Sequence, residues 1–414
     1  MSTGLANVLD AFAPGMSIYL PGTTGEIASL NAALAAEPDR MKGVRAYGVF
    51  VPGMNGFDYA GLHDEARMTT FMLPPAMRGS FMDGRVDLVG RTYRGAADTL
   101  ARGFYDLVIA HVAPPGPDGI CSLGIASDFT PLVWNRARRR ALVINPAMPV
   151  PARALRVALA DADIVAECES APVAFSETPA GAEAEAIARR VAELIPDGAR
   201  LQTGIGGAPG AIWDMLRDHR DLVLYSGMAN DGLLRLAEAG ALAPGGGHVA
   251  GIAFGSAAFY AALAANDLVD FRTVPETHGF AQLSAQHALH SVNGALEIDL
   301  FGQVNVEWQG TRLSSGVGGG PDFMRGAAAS PGGRSIIALP STAKKGTLSR
   351  VVARLDRPST GVARSDIDTV VTEHGVAELK DKGIDARAEA LIAVADPAFQ
   401  DTLADEWRAL RASF

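Results

Sequence analysis

The chain has 414 residues, of which 48% are hydrophobic and 20% charged, too long for one ordinary core and too apolar for a disordered polymer. A formal charge of −10 excludes a broadly basic nucleic-acid surface or a face for anionic membranes, while leaving room for a local basic pocket. Two cysteines, Cys121 and Cys168, are too few for a disulfide framework or a multi-cysteine metal site, and their apolar neighbours predict buried structural thiols.

The opening MSTGLANVLDAFAPG lacks the basic-then-apolar pattern of a signal peptide, and no run approaches the roughly 18–20 apolar residues of a membrane span. A cytoplasmic chain is expected, with no nucleic-acid partner, no membrane partner and no metal. In chain order, Ser17 to Leu20 reads as a strand, PGTTGE as a turn, and the following residues through Leu30 and Leu34 as a helix. Val44 to Val51, Leu107 to Ala110 and Ala141 to Ile144 read as further strands. Ser176 to Gly181 is polar, contains Pro179 and reads as a linker. Beyond it Ile187, Val191 and Leu194 fall at helical spacing. LQTGIGGAPGAIWDML then repeats the order strand, glycine turn, helix, with Ile212, Met215 and Leu216 on the helix. The last helix sets Phe399, Leu403, Trp407 and Leu410 on one face, a core pattern. The alternation predicts an α/β fold of two tandem Rossmann-like lobes with mainly parallel sheets, residues 1–178 and 179–414, and the two similar openings suggest an internal duplication.

A glycine turn that opens a helix suits a phosphate or a thioester oxygen, because the first turn leaves N–H groups unpaired at the positive end of the helix dipole. Around Gly204-Ile205-Gly206-Gly207-Ala208 the dinucleotide fingerprint fails: Pro209 stands where the third glycine belongs, and DLVLYSGM ends without an acid. No Lys-Ser or Lys-Thr follows the turn, and no G-x-S-x-G occurs in the chain. A second cluster, LSSGVGGGPDFMRGA, exposes the backbone of Gly316 to Gly320, a nest suited to an oxyanion or a phosphate oxygen. The flanking Pro321-Asp322-Phe323 predicts an ordered loop.

Six segments in order, APPGPDGICSLGIASDF, LQTGIGGAPGAI, ALEIDLFGQVNVE, GVGGGPDFMRGA, IIALPSTAKKGTLSRVV and VVTEHGVAELKDK, together resemble the acetyl-CoA hydrolase/transferase family. That family includes the 4-hydroxybutyrate CoA-transferases and belongs to the class I CoA-transferases. The resemblance implies an acyl-CoA site in the cleft between the lobes, with coenzyme A as substrate, no tightly bound cofactor, and a homodimer or larger homo-oligomer. By it, Gly204 to Ala208 and Gly318, Gly319 and Gly320 look like CoA contacts, and Lys344 like a contact to the CoA phosphates.

One departure bears on the chemistry. The family pattern (S/T)-E-M-x-x-D-G presents a glutamate that attacks the thioester and carries CoA covalently. This chain reads Ser226-Gly227-Met228-Ala229-Asn230-Asp231-Gly232, and Gly320 stands where the family's GGQ has its glutamine. A left-handed backbone is expected at Gly227, and Asp231 is expected to hold the loop. The candidate catalytic set is then Glu26, Gly227 and Asp231, with His63 and His278 as further candidate bases. Three readings follow: hydrolysis or another acyl-CoA reaction without a covalent glutamate, a non-catalytic CoA-binding paralogue, or transfer to a carboxylic acid acceptor through a displaced carboxylate such as Glu26.

Overall fold

The computed structural model describes residues 4–175 and 180–414. The first sheet has seven parallel strands: β1 (Ser17–Tyr19), β2 (Arg45–Tyr47), β3 (Arg67–Thr70), β4 (Val86–Leu88), β5 (Tyr105–Val112), β6 (Ala137–Ile144) and β7 (Ile164–Glu167), in the order 4-3-2-1-5-6-7. The aliphatic run of β5 is buried along nearly its whole length, as a strand covered on both faces must be. The predicted strand Val44 to Val51 is shorter than expected. After Tyr47 the chain bends around Asn55, whose carboxamide oxygen accepts from Val51 N at 2.8 Å and Thr23 N at 3.1 Å, so Val49 to Val51 leave the ladder.

The second sheet holds β8 (Arg200–Thr203), β9 (Val223–Leu224), β10 (Leu289–Asn293), β11 (Arg334–Ala338), β12 (Thr369–Thr372) and β13 (Gly375–Glu378) in the order 9-8-10-11-12-13. All its pairs are parallel except β12 with β13. The order 2-1-5-6-7 of the first sheet thus recurs as 9-8-10-11-12. The likeness runs further: Tyr225 bridges Val249, Met228–Ala229 pairs with Ile252–Ala253, and Val249–Ala250 pairs with Asp270–Phe271, all parallel, where β3 and β4 stand in the first half.

Helices cover both faces of the second sheet. Ile187 and Val191 of α1 (Ala182–Ala192) and Ile212 and Trp213 of α2 (Gly207–Met215) pack with Leu201, Val292 and Ile336. On the other face Met324 of α3 (Gly320–Ala329) and Leu403 and Trp407 of α4 (Pro397–Arg411) pack with Ile337 and Val370, so the last helix is core. Cys121 and Cys168 are buried free thiols, and burial raises both pKa values. The linker predicted at Ser176 to Gly181 falls mostly outside the described residues, as does the boundary between 178 and 179. Among the described residues no helix is long and apolar enough to cross a membrane.

Candidate active site

Parallel strands all point their carboxyl ends one way, and the loops leaving those ends form the natural crevice of such a sheet. Here the two sheets turn these ends toward one cavity of about 360 Å³. The first half contributes Val51, Met54, Met72 and Tyr93, and the second contributes Thr203, Gly204, Gly227, His278, Asn293 and the loop Gly316–Gly320. A neighbouring cavity of about 570 Å³ shares Gly204, Ile205 and Met228 and adds Gly206 and Gly207. Gly206 caps α2 with φ of 139°, a conformation glycine favours. Ala208 is buried beneath that turn.

The second glycine loop is ordered from both sides. Gly318 O accepts from Tyr93 N at 3.0 Å, and Asp322 Oδ2 accepts from Arg94 N at 2.9 Å. A Cβ on Gly316 would lie 2.0 Å from Phe71 O, so this part of the loop lies directly against the first half. Gly318 is left-handed at φ 67° and Gly319 right-handed at φ −92°. Successive residues of that alternation turn their N–H groups to one point and form an anion nest, here at the start of α3 with Pro321 in its first turn. Burial raises the Asp322 pKa to about 6.

Gly227 faces this loop. The left-handed backbone expected there is not found, since Gly227 is not among the residues of positive φ; what excludes a side chain is space. A Cβ at Gly227 would lie 2.6 Å from His278 Cε1 and 2.8 Å from Nε2, and one at Gly319 would lie 2.6 Å from the same Nε2. The imidazole therefore fills the slot between Gly227 and Gly319. It stands at the end of the short helix Val274–His278, whose start is fixed by Thr273 N and Oγ1 donating to Glu276 at 3.0 and 2.6 Å. The Tyr93 ring lies 5.0 Å from it at 30° and the Phe323 ring 4.7 Å at 62°.

His278 is 4% exposed, and its Nδ1 lies 2.8 Å from Thr277 Oγ1. Thr277 Oγ1 is also 3.3 Å from Thr273 O. The arrangement in which Nδ1–H donates to Oγ1 and the hydroxyl donates to that carbonyl gives both hydrogens an acceptor. It leaves the Nε2 lone pair on the side of the cavity. Burial, with a further contribution from the Arg94 charge, lowers the imidazole pKa to about 3, so the ring is neutral across the physiological range.

The other candidates lie elsewhere. Glu26 lines neither cavity; burial raises its pKa, against hydrogen bonding from Asn55 and Asn31. Asp231 accepts from Ser256 N at 2.9 Å and from its hydroxyl, and so ties the turn after residue 227 to the helix Ala257–Ala265. His63 accepts from Glu65 N at 3.1 Å, in neither cavity. Lys344 is exposed at the tip of the hairpin Thr342–Ala343/Leu348–Ser349, left-handed like Lys345, and lines neither cavity. Unforeseen in the sequence is the amide network at the cavity floor. Gln202 Oε1 accepts from Ser291 Oγ at 2.6 Å and Asn293 Nδ2 at 3.0 Å, and Gln202 Nε2 donates to Asn293 Oδ1 at 3.2 Å. The signal was present in LQTG and SVNG, where amides sit at the ends of otherwise apolar strands.

A two-lobed α/β fold with paired glycine loops at one shared cavity defines a class seen in known proteins. The acetyl-CoA hydrolase/transferase C-terminal domain matches residues 255–407. The chain is 32% identical over 397 residues to a 4-hydroxybutyrate coenzyme A transferase of Clostridium kluyveri, covering 93% of this chain and 92% of the relative. The crystal structure of RipA from Yersinia pestis superposes with a TM-score of 0.89 at 28% identity, over 98% of this chain and 96% of that one. A 4-hydroxybutyrate CoA-transferase from Porphyromonas gingivalis gives 0.80 at 27%, over the same shares. The chain belongs to the acetyl-CoA hydrolase/transferase family of class I CoA-transferases, enzymes whose substrates are CoA thioesters.

Proposed function

We propose that this protein hydrolyses an acyl-CoA thioester without forming a covalent intermediate at position 227. One observation carries the reading: the His278 imidazole stands where any side chain at Gly227 would stand, so the place that the resemblance gives to the family's glutamate holds a neutral nitrogen base. With the thioester carbonyl beside the Gly318–Gly320 nest, a water between it and His278 has a base on one side and an electrophile on the other.

Nε2 takes a proton as the water oxygen bonds to the carbonyl carbon, and the carbonyl π pair moves to oxygen, where nest N–H groups receive it. Collapse breaks the C–S bond, and the CoA thiolate takes the proton from the imidazolium, leaving a carboxylic acid and free CoA. A buried imidazole of low basicity works here because the oxyanion forms beside it and offsets the imidazolium charge. The described residues lining the cavity include no Asp, Glu, Lys or Arg, so a carboxylate product finds no ion pair to hold it. Transfer through Glu26 is disfavoured by the position of that side chain outside both cavities.

The test is thiol release from a panel of short acyl-CoA esters with and without added carboxylic acids. Release at the same rate without an acceptor is the predicted result; release only with an acceptor would show transfer instead.

A further inference from the structure

Beside the uncharged reaction cavity lies a smaller one of about 270 Å³ that shares Pro52 and Ser315 with it. Its charged residues are both cations, Arg78 and Arg312. Arg78 Nη2 donates to Leu313 O at 2.5 Å, and among the described residues neither guanidinium has a carboxylate partner. They are close enough that the charge of Arg312 adds to burial in lowering the Arg78 pKa. The wall between the two cavities is Ser314-Ser315, and both hydroxyls are buried with no hydrogen-bond partner. Two buried hydroxyls without a partner cost free energy unless a bound group completes them, and the two cations beside them favour an anion in that role.

We infer that Arg78, Arg312, Ser314 and Ser315 form a subsite for an anionic oxygen group of the substrate, a carboxylate or a phosphate, beside the reaction cavity. The inference rests on the acyl-CoA reading above for the identity of the substrate, though not for the chemistry of the recess. Guanidinium groups match both anions in geometry and the hydroxyls supply further donors. Two parts of an acyl-CoA carry such groups: the phosphates of CoA, and the far carboxylate of a dicarboxylic acyl chain. The reaction cavity itself has no charged residue among those described, so a charged acyl terminus would be balanced here and not at the thioester.

Calorimetric titration with CoA, S-butyrylpantetheine, butyryl-CoA and succinyl-CoA, carried out on wild type, Arg312→Gln and Arg78→Met each in a His278→Ala background that slows turnover and keeps CoA binding, separates the sources. If phosphate is bound, the variants weaken CoA and both CoA esters at least about tenfold and leave S-butyrylpantetheine unchanged. If carboxylate is bound, only succinyl-CoA weakens. Either result supports the subsite, and the weakening shrinks at high salt. Unchanged affinity for all four ligands in Arg312→Gln, which replaces an exposed side chain, would overturn it. Should wild type bind none of the four, the acyl-CoA reading fails. Inorganic pyrophosphate and succinate then test the recess alone: binding by wild type that is lost in Arg312→Gln supports it, and no binding overturns it.

Discussion

The steric relation of Gly227 and His278 makes the first prediction. With 2.6 Å between a Cβ at 227 and the ring, Gly227→Ala should destabilise the protein by about 1–3 kcal/mol, the usual cost of overpacking. In a His278→Ala background the same change should be close to neutral, giving a coupling energy of about 1 kcal/mol or more in a double-mutant cycle of chemical denaturation. Additive effects would mean that the ring does not occupy that space. Proton linkage follows from the same burial. A histidine held at about 3 in the fold and near 6.5 unfolded binds fewer protons when folded, so its contribution to stability falls as pH drops below about 6.5. The stability of wild type relative to His278→Gln should therefore decline by on the order of 1 kcal/mol per pH unit between pH 6 and 4. Activity should show no acid limb near pH 6.5 from this residue. Sequence alone placed His278 among several candidate bases; that it fills the slot of residue 227 depends on a contact 51 positions away in the chain, which no local pattern encodes.

At the scale of elements, the Gly316–Gly320 loop joins the two halves and builds the nest. Gly316→Ala must displace the loop from Phe71 O, because a backbone carbonyl in a packed strand end cannot yield 1 Å or more. A loss of about 1–3 kcal/mol in stability is expected, with weakened CoA binding by calorimetry; a variant that keeps both would show the loop to be more pliable than its hydrogen bonds imply. The sequence marked this loop through its glycines and the turn at Gly204–Gly207 through its position after a strand. Strand and helix types were legible because aliphatic runs and helical periodicity are local. The end of β2 was not, since Val49 to Val51 follow Asn55 and not their own β propensity. The Gln202–Ser291–Asn293 network was equally hidden, because it joins strands nearly 90 residues apart.

The whole molecule repeats one strand order twice and brings the carboxyl ends of both sheets to one cavity. The duplication was visible in the two openings, whereas its extent, through the short pairs at Met228–Ala229 and Val249–Ala250, emerges only from the pairing. A ligand bound across both halves should raise the stability of the folded chain, by about 2.7 kcal/mol at 100 times its dissociation constant. Thermal unfolding with and without CoA measures this, and an unchanged midpoint at saturating CoA would speak against a CoA site.

Hydrolysis with His278 as base is tested by the rate of thiol release from a short acyl-CoA by wild type and His278→Ala, with CoA affinity measured alongside. A general-base role for His278 means a fall in kcat of about 10²–10⁴-fold with CoA bound as tightly as before. Retention of the wild-type rate in His278→Ala would contradict it.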